Sequence, residues 1–528
     1  MNSILYNARI YTMDQENPFV EAIAIRNSKI IAIGSNEEIL NLANDQFQKI
    51  NIDGKTILPG FSDSHIHLNY YSKSLTQVDC ETISKADCLE RIRARVNQTE
   101  PGKWIIGHGW NQNNWPEGYG TIDDLDQIST EHPIYLTAKS LHASWANSKA
   151  LELAGIDLNH ENPPNGIIGK NNEGNLNGLL FESATQLIEK IITAHSVNQI
   201  AQNLEIAQKE LLKYGITSVH DFDGADCFSA LQKLEREARL KIRVLKSIQL
   251  DNLEAAVNIG MATGFGSDYL RIGSVKLFAD GALGPQTAAM ISPYENSSTN
   301  KGVLSLSSDQ IFDYGKLASQ SGISLAIHAI GDMANMMVLQ GFERLRSYEQ
   351  EMKLPHLNHR IEHVQILTKE IVGKLSDLDL TASVQPIHLI SDMEAAEKYW
   401  GSRSMYAYPF HSLLISGTNM VFGSDSPVES PNPFLGIYAA TTRRRLDGAP
   451  GENGWFPEQK ISLLQAINAY TRAPAYLAGW KSYKGRISPN EQADLIVLPE
   501  DIFNISPDKI KNLLPQATMV AGQWVWQK

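Results

Sequence analysis

PGFSDSHIHL, residues 59–68, is a proline–glycine break followed by a short extended run that closes on His65 and His67. Side chains alternate along an extended segment, so residues two apart leave the same face and the two imidazoles point one way. One face with two imidazoles can bind one metal ion. The pair alone is weak, because two surface histidines can fall at this spacing by chance. Its weight comes from other strand-like runs that end the same way: Lys276 in GSVKLFADG (273–281), His328 in SLAIHAIGD (324–332), His363 in HRIEHVQ (359–365) and Asp425 in MVFGSDSPV (420–428). A lone histidine beside an apolar run is ordinarily a hydrogen-bonded core residue. Five strand ends with one story are harder to assign to packing.

Working outward, strand-like runs fall at 61–67, 216–221, 242–249, 272–279, 323–328, 360–365, 380–385 and 420–425. Helix-like stretches with apolar residues three and four apart separate most of them, the clearest at 198–214, 227–239 and 309–321. Eight strands with helical crossovers predict an α/β fold, a (β/α)8 TIM barrel over residues 59–481. The alternative is a doubly wound open sheet, but no GxGxxG follows an early strand to favour a dinucleotide-binding version. Residues of about 69–215, between the first and second strands, are far too many for a loop. They predict an inserted subdomain over the barrel mouth. Short strands at both termini, punctuated by turn residues such as Asn27–Ser28 and Gly522, are too few on either side for a stable sheet. The expectation is that 1–58 and 482–528 pair into one small β-sandwich domain.

Composition bounds the rest. The 528 residues are 42% hydrophobic and 20% charged, with a net charge of -13, an ordinary globular balance with length for a large core. An acidic surface argues against nucleic acid or an anionic membrane as partner. Cys80, Cys88 and Cys227 are an odd number with no CxxC, so free thiols in a reducing compartment are expected. No signal-peptide pattern or membrane-length apolar run is present, which makes the cytoplasm the default location. A homodimer is the base-rate expectation.

On a barrel of this kind, strand ends gather at one mouth, where active sites form. Four histidines and an aspartate suit zinc, and also manganese or iron. A divalent ion in such a set lowers the pKa of the water it binds from about 15.7 toward ~7. Asp425 has one carboxylate oxygen for the metal and another for the proton of that water. Taken by itself, Asp425 in GSDSP reads as a turn residue. Lys276 cannot ligate a cation as an ammonium, and in isolation reads as a snorkelling or ion-paired strand lysine. Burial favours its neutral amine, which can take up carbon dioxide as a carbamate, an oxygen donor able to bridge two metals.

These motifs, with TILPGFSDSHIH (56–67) and GRISPNEQADLIVL (485–498), resemble the amidohydrolase superfamily, and within it the YtcJ-like (amidohydrolase type 3) family, over essentially the whole chain. The resemblance implies a metal-dependent hydrolase of carbon–nitrogen bonds other than peptide bonds, with a small amide-like substrate such as an N-acyl or N-formyl compound. It implies that His65 and His67 bind one ion, His328 and His363 a second, more exposed one, that carboxylated Lys276 bridges them, and that Asp425 is the catalytic acid/base. One or two divalent ions fit that scheme. Alternatives are a mononuclear deaminase of a small heterocycle, for which Asp332 is the nearby acid but reads better as a helix N-cap, and a non-catalytic scaffold. In the insert, His108, Trp110, His142 and Glu182 lie in stretches that resemble family motifs and are candidate substrate contacts, although a tryptophan there is more often core. His388, after the seventh strand, is a candidate for carbonyl polarisation or substrate binding. Asp63 lies two residues before His65 and can orient a ligand or hold the strand end. Asp280 shapes the mouth or makes a turn, His220 ends the second strand, and GENGW (451–455) and Arg443–Arg445 can line a rim, the arginines reading as a solvated charge run.

Overall fold

The computed structural model describes residues 2–42, 45–112, 115–139, 143–164, 166–192 and 196–528. They divide into two compact units, Asn69–Ile206 and the remainder of the chain.

In the larger unit, eight strands form one sheet in sequential order: Phe61–Ile66, Ile216–Asp221, Arg243–Gln249, Leu270–Phe278, Leu325–Ala329, Arg360–His363, Thr381–Val384 and Asn419–Phe422. Every neighbouring pair is parallel. The eighth strand returns to the first. Asp425 N–H donates to the His65 carbonyl (2.7 Å), His67 N–H donates to the Ser426 carbonyl (2.9 Å), and Ile66 bridges Ser426 in parallel. The architecture is the TIM barrel, and the bonds that close it join the segments that carry His65, His67 and Asp425.

The expected strands sit where the sequence places them, but they are not mainly apolar. Ser62, Asp63, Ser64, His65, Ser218, His220, Asp221, Arg360 and Glu362 are all buried. Buried polar groups are tolerated only when partnered. Ser62 and Ser218 hydroxyls are 2.5 Å apart, Lys484 donates to Ser218, and Arg360 donates to His220 Nδ1 at 2.9 Å. A hydrogen-bonded polar axis therefore replaces the Val/Ile filling of a simple parallel sheet. Crossover helices follow ordinary local rules. The helix Ser308–Gln320 opens on a capping box between Ser307 and Gln310 and buries Ile311, Gly315 and Ala318.

The chain termini make two sheets. Lys29–Gly34, Ala22–Arg26, Ser3–Tyr6 and Gln48–Asn51 form one; Gln523–Gln527, Ala517–Val520, Leu495–Leu498, Thr56–Pro59, Arg9–Tyr11 and Phe19–Val20 form the other. Leu495–Leu498 runs antiparallel to Thr56–Pro59, so the two ends of the chain do pair. Residues from both sheets, among them Leu5, Ile25, Ile57, Leu495 and Met519, share one apolar cluster. Asn27 and Ser28 adopt the left-handed turn (φ 48° and 73°) expected of a tight hairpin.

The smaller unit has its own six-stranded sheet, ordered Gly166–Lys170, Leu176–Glu182, Ala143–Ala146, Ile134–Ala138, Ile105–Trp110 and Val78–Asp79. One face buries Trp110, Trp115 and Trp145 together with Cys80 and Cys88. All three cysteines of the chain are free and buried. Among the described residues no helix is long and apolar enough to cross a membrane.

Candidate metal centre and active site

The barrel strands bring the imidazoles together around Asp425. His65 Nε2 and His67 Nε2 each lie 3.4 Å from Asp425 Oδ1. His363 and His388 form a second group with the same carboxylate, with ligand atoms within 4.8 Å of one another, and His388 Nε2 is 3.9 Å from Asp425 Oδ2. The His65 and His363 ring centroids are 5.1 Å apart.

This donor set fits a divalent ion. His363 Nδ1 and His388 Nε2 are buried with no hydrogen-bond partner. A buried polar nitrogen without a partner is costly, and a cation shared with Asp425 supplies one. Burial, with help from Lys276, lowers His65 to about 4 and His328 to about 3, and burial holds His363 well below its ordinary value. These rings are neutral at pH 7, the form that ligates. His67 differs. Burial opposes its charge, but hydrogen bonds to Asp223 and Asp425 raise it to about 10, so binding a cation there releases a proton. Burial pushes the Asp425 carboxyl up, yet the surrounding imidazoles, His65 foremost, hold it well below the usual carboxylate range.

Lys276, on the fourth strand, is 2% exposed, with its Nζ 4.3 Å from the Phe222 ring centroid and 5.0 Å from that of Phe278. Burial lowers it to about 8, against the pull of Glu362 and Asp425. That environment raises the share of the neutral amine a carbamate requires well above that of a free lysine, with the ammonium still the major form at pH 7.

His328 and His388 both stand beside His363. The His328 ring stands 4.5 Å from that of His363, but its Nε2 donates to the Gly281 carbonyl (3.0 Å), leaving only Nδ1 as a donor atom toward a metal. His388, expected among the substrate contacts, also has a ring nitrogen close enough to His363 and Asp425 to share a metal ion with them. It sits in the first turn of the helix Pro386–Trp400, which opens with proline in the position that suits its fixed φ.

The backbone is bent to make this geometry. His363, Val364 and Asp425 have φ of 71°, 46° and 60°, a region that residues other than glycine rarely enter and valine least of all. Each such residue costs ~1–3 kcal/mol, and they cluster where the sixth and eighth strands end. Asp63 braces the same corner. Its carboxylate accepts from His65 N–H (3.1 Å), Ser424 N–H (3.0 Å) and Ser424 Oγ (2.6 Å), tying the first strand to the segment after the eighth. Gly423 completes the seam: a Cβ there would lie 2.5 Å from His65 N and 2.7 Å from His65 Cβ. Gly423→Ala is therefore expected to lower stability by ~1–3 kcal/mol through overpacking against backbone that cannot yield cheaply. An unchanged thermal midpoint would refute the close approach.

Other expected residues resolve by their contacts. Asp280 accepts from Ala289, Ile330 and Gly331 N–H (2.9, 3.0 and 2.8 Å), pinning the loop after the fourth strand to the end of the fifth. Asp332 is not the helix N-cap. Gly331 holds that position, and Asp332 accepts from Ile291 N–H at 2.8 Å. Arg443 is not part of a solvated charge run: it is fully buried and donates to the carbonyls of Trp455 (2.6 Å) and Tyr408 (2.8 Å).

In the smaller unit Trp110 is 1% exposed and donates to the Leu136 carbonyl (2.9 Å), which makes it core rather than an open contact surface. His108 Nδ1 is 2.9 Å from Thr137 Oγ1. Glu182 is exposed at the end of its strand with φ 51°. His142 lies outside the described residues.

Two residues escaped the sequence reading. Glu362 Oε2 is 2.7 Å from His65 Nδ1, and Asp223 Oδ1 is 3.1 Å from His67 Nδ1. A signal for the first existed: Arg360 and Glu362 stand two apart on a strand expected to be buried on both sides, which demands paired charge inside the barrel. A cavity of about 750 Å³, lined by Tyr11, Asn419, Leu464, Arg472 and Phe503 among others, opens at the start of the eighth strand, opposite its Asp425 end, and plays no part in this site.

Comparison with known proteins agrees with the geometry. The sequence model of the amidohydrolase family matches residues 48–526. YtcJ of Bacillus subtilis (strain 168), described as an amidohydrolase, is 29% identical over 100% of both chains. N-substituted formamide deformylase of Arthrobacter pascens is 25% identical, covering 98% of this chain and 97% of its own. The crystal structure of an uncharacterized metal-dependent hydrolase from Pyrococcus furiosus superposes with a TM-score of 0.78 at 28% identity, over 96% of this chain and 100% of that one. The chain belongs to the amidohydrolase family, in its YtcJ-like branch, and is a hydrolase.

Proposed function

We propose that this protein hydrolyses a carbon–nitrogen bond in a small non-peptide amide, an N-acyl or N-formyl compound, with one or two divalent ions (zinc, or manganese or iron) in the centre described above. The observation that carries the reading is the Asp425 carboxylate, set between two imidazole groups with one oxygen toward each. The choice of an amide follows the full-length relative that acts on N-substituted formamides.

His65, His67, His363 and His388 would hold the ions, with His328 through Nδ1 and Lys276 as its carbamate. A bound divalent ion supplies an acidified water and a Lewis acid for the carbonyl. Asp425 takes the proton of the attacking water as the new C–O bond forms. It then delivers that proton to the nitrogen as the C–N bond breaks, so a carboxylic acid and a neutral amine leave and the carboxylate is restored. The deaminase alternative would need Asp332 as its extra acid, and one oxygen of that carboxylate already accepts from Ile291 N–H.

Zinc- or manganese-loaded protein is expected to release acid and amine from members of a panel of N-formyl, N-acyl and cyclic amides. Ammonia from aminated heterocycles, with the amides untouched, would overturn the assignment. A second measurement isolates Lys276. Lys276→Met is expected to hold one divalent ion fewer per chain than the parent in bicarbonate buffer, read by elemental analysis; equal stoichiometry removes the carbamate from the scheme.

A further inference from the structure

Each histidine of the HxH pair meets a different acid at Nδ1; Arg360 stands behind the first acid, and Lys246 holds the second by its main-chain carbonyl while pairing with the neighbouring Asp221. His65 Nδ1 meets Glu362 Oε2 at 2.7 Å, and Glu362 Oε1 lies 2.7 Å from Arg360 Nε. Arg360 is itself fixed, donating to the Ser64 carbonyl (3.2 Å) and His220 Nδ1 (2.9 Å), with its guanidinium 4.8 Å from the Phe222 ring centroid. His67 Nδ1 meets Asp223 Oδ1 at 3.1 Å. Behind it, Lys246 Nζ lies 2.7 Å from Asp221 Oδ2 and donates to the Asp223 main-chain carbonyl. Asp221 Oδ1 in turn accepts from Leu68 N–H (2.8 Å), the residue after His67.

We infer that Arg360–Glu362 and Lys246–Asp221–Asp223 are two positioning relays that fix His65 and His67 in the Nδ1–H tautomer, so that both Nε2 lone pairs face the ion. The inference rests on the reading that this centre binds a divalent cation. A neutral imidazole has one N–H, and a carboxylate at Nδ1 decides where it sits and raises the donor strength of the other nitrogen. Gln385 Nε2 also lies 3.3 Å from His65 Nδ1 but faces the Ser383 carbonyl (3.4 Å) as well, and the much shorter contact to the Glu362 carboxylate decides the tautomer. A buried carboxylate with no counter-charge is costly; Arg360 offsets this for Glu362 by proximity, and Lys246 does so for the Asp221–Asp223 pair through Asp221 while its bond to the Asp223 carbonyl fixes the loop that carries that acid.

The relay also explains a third cluster, Asp221, Asp223 and Cys227, whose atoms lie close enough to hold an ion. Lys246 already supplies its positive charge. That cluster is the support of His67 and not another metal site.

The test uses full-length zinc-loaded protein, with zinc affinity measured by chelator competition and the ligand field read from the visible spectrum after cobalt substitution. Asp223→Asn and Glu362→Gln are each expected to weaken zinc binding ~10–100-fold and to shift the cobalt bands, with Lys246→Met moving both readouts in the same direction. Arg443→Met, which empties a buried site elsewhere, is expected to lower the thermal midpoint while leaving affinity and spectrum at parental values. If Glu362→Gln does not fold, Asp223→Asn and Lys246→Met decide the matter. Parental protein that binds zinc, with Asp223→Asn within about threefold of it and spectrally unchanged, overturns the relays alone. Parental protein that retains no zinc overturns the metal reading itself, and the relays with it.

Discussion

Asp425→Asn is expected to retain fold and bound metal and to lose turnover by ~10²–10⁴-fold, the usual contribution of a positioned acid/base. The substitution suits this position. Asp425 has φ 60°, and asparagine is among the few residues that enter the left-handed region readily, so the bend that closes the barrel survives. Its amide oxygen can still face the imidazoles, but a carboxamide takes no proton near neutrality. The histidines hold the ion and the proton transfer is lost. Asp425→Ala is a poorer probe, because it adds backbone strain to the chemical deletion. Turnover of Asp425→Asn within a few-fold of the parent, at equal metal content, would move the acid/base role to another residue.

The barrel was legible because its signals are local. The second strand, Ile216–Asp221, has the bounds expected of it, and the third, Arg243–Gln249, differs from expectation by one residue. The eighth ends at Phe422, not Asp425, because Gly423 to Asp425 leave the ladder to bend across His65. Alternation along one strand put His65 and His67 on one face and needed no tertiary knowledge. What could not be read depends on distant partners. His388 joins His363 because of where a crossover helix starts, which no strand pattern encodes. Arg443 looks like part of a charged run until the carbonyls of Tyr408 and Trp455 close around it. Asp223 stands two residues past its strand end, and only the direction of the loop, set by Lys246 on the third strand, aims it at His67. The candidate histidines were thus visible in the motifs, while the acids beside them were visible only as charge in strands that ought to be apolar.

The largest stability effect is expected where the terminal sheets meet the barrel. Arg243, on the third strand and fully buried, pairs with Asp494 through Nε–Oδ2 (2.7 Å) and Nη2–Oδ1 (3.1 Å). Asp494 also accepts from Ala521 N–H (2.8 Å), in the turn of the last hairpin, and its carbonyl accepts from Gly60 N–H (2.8 Å), at the entry to the first strand. Asp494→Leu leaves a guanidinium buried without its counter-ion and is expected to cost ~3–5 kcal/mol. The double variant Arg243→Met/Asp494→Leu removes the stranded guanidinium, leaving Lys484 (Nζ 4.0 Å from Asp494 Oδ2 in the parent) as the remaining buried cation, and is expected to be more stable than Asp494→Leu alone, because most of the single-variant loss is the stranded charge and not the value of the pair. Acid provides a second check. Burial raises the Asp494 carboxyl, but Arg243 holds it below the usual carboxylate range, so the folded state releases its proton more readily than the unfolded one. The contribution is then fully present above the unfolded carboxyl's pKa and is lost as pH falls through the lowered folded value. The gap in thermal midpoint between parent and double variant should accordingly narrow in acid. A double variant that melts no higher than Asp494→Leu would mean that hydrogen bonds to Ala521 and its neighbours, and not the ion pair, hold the two ends of the chain to the barrel.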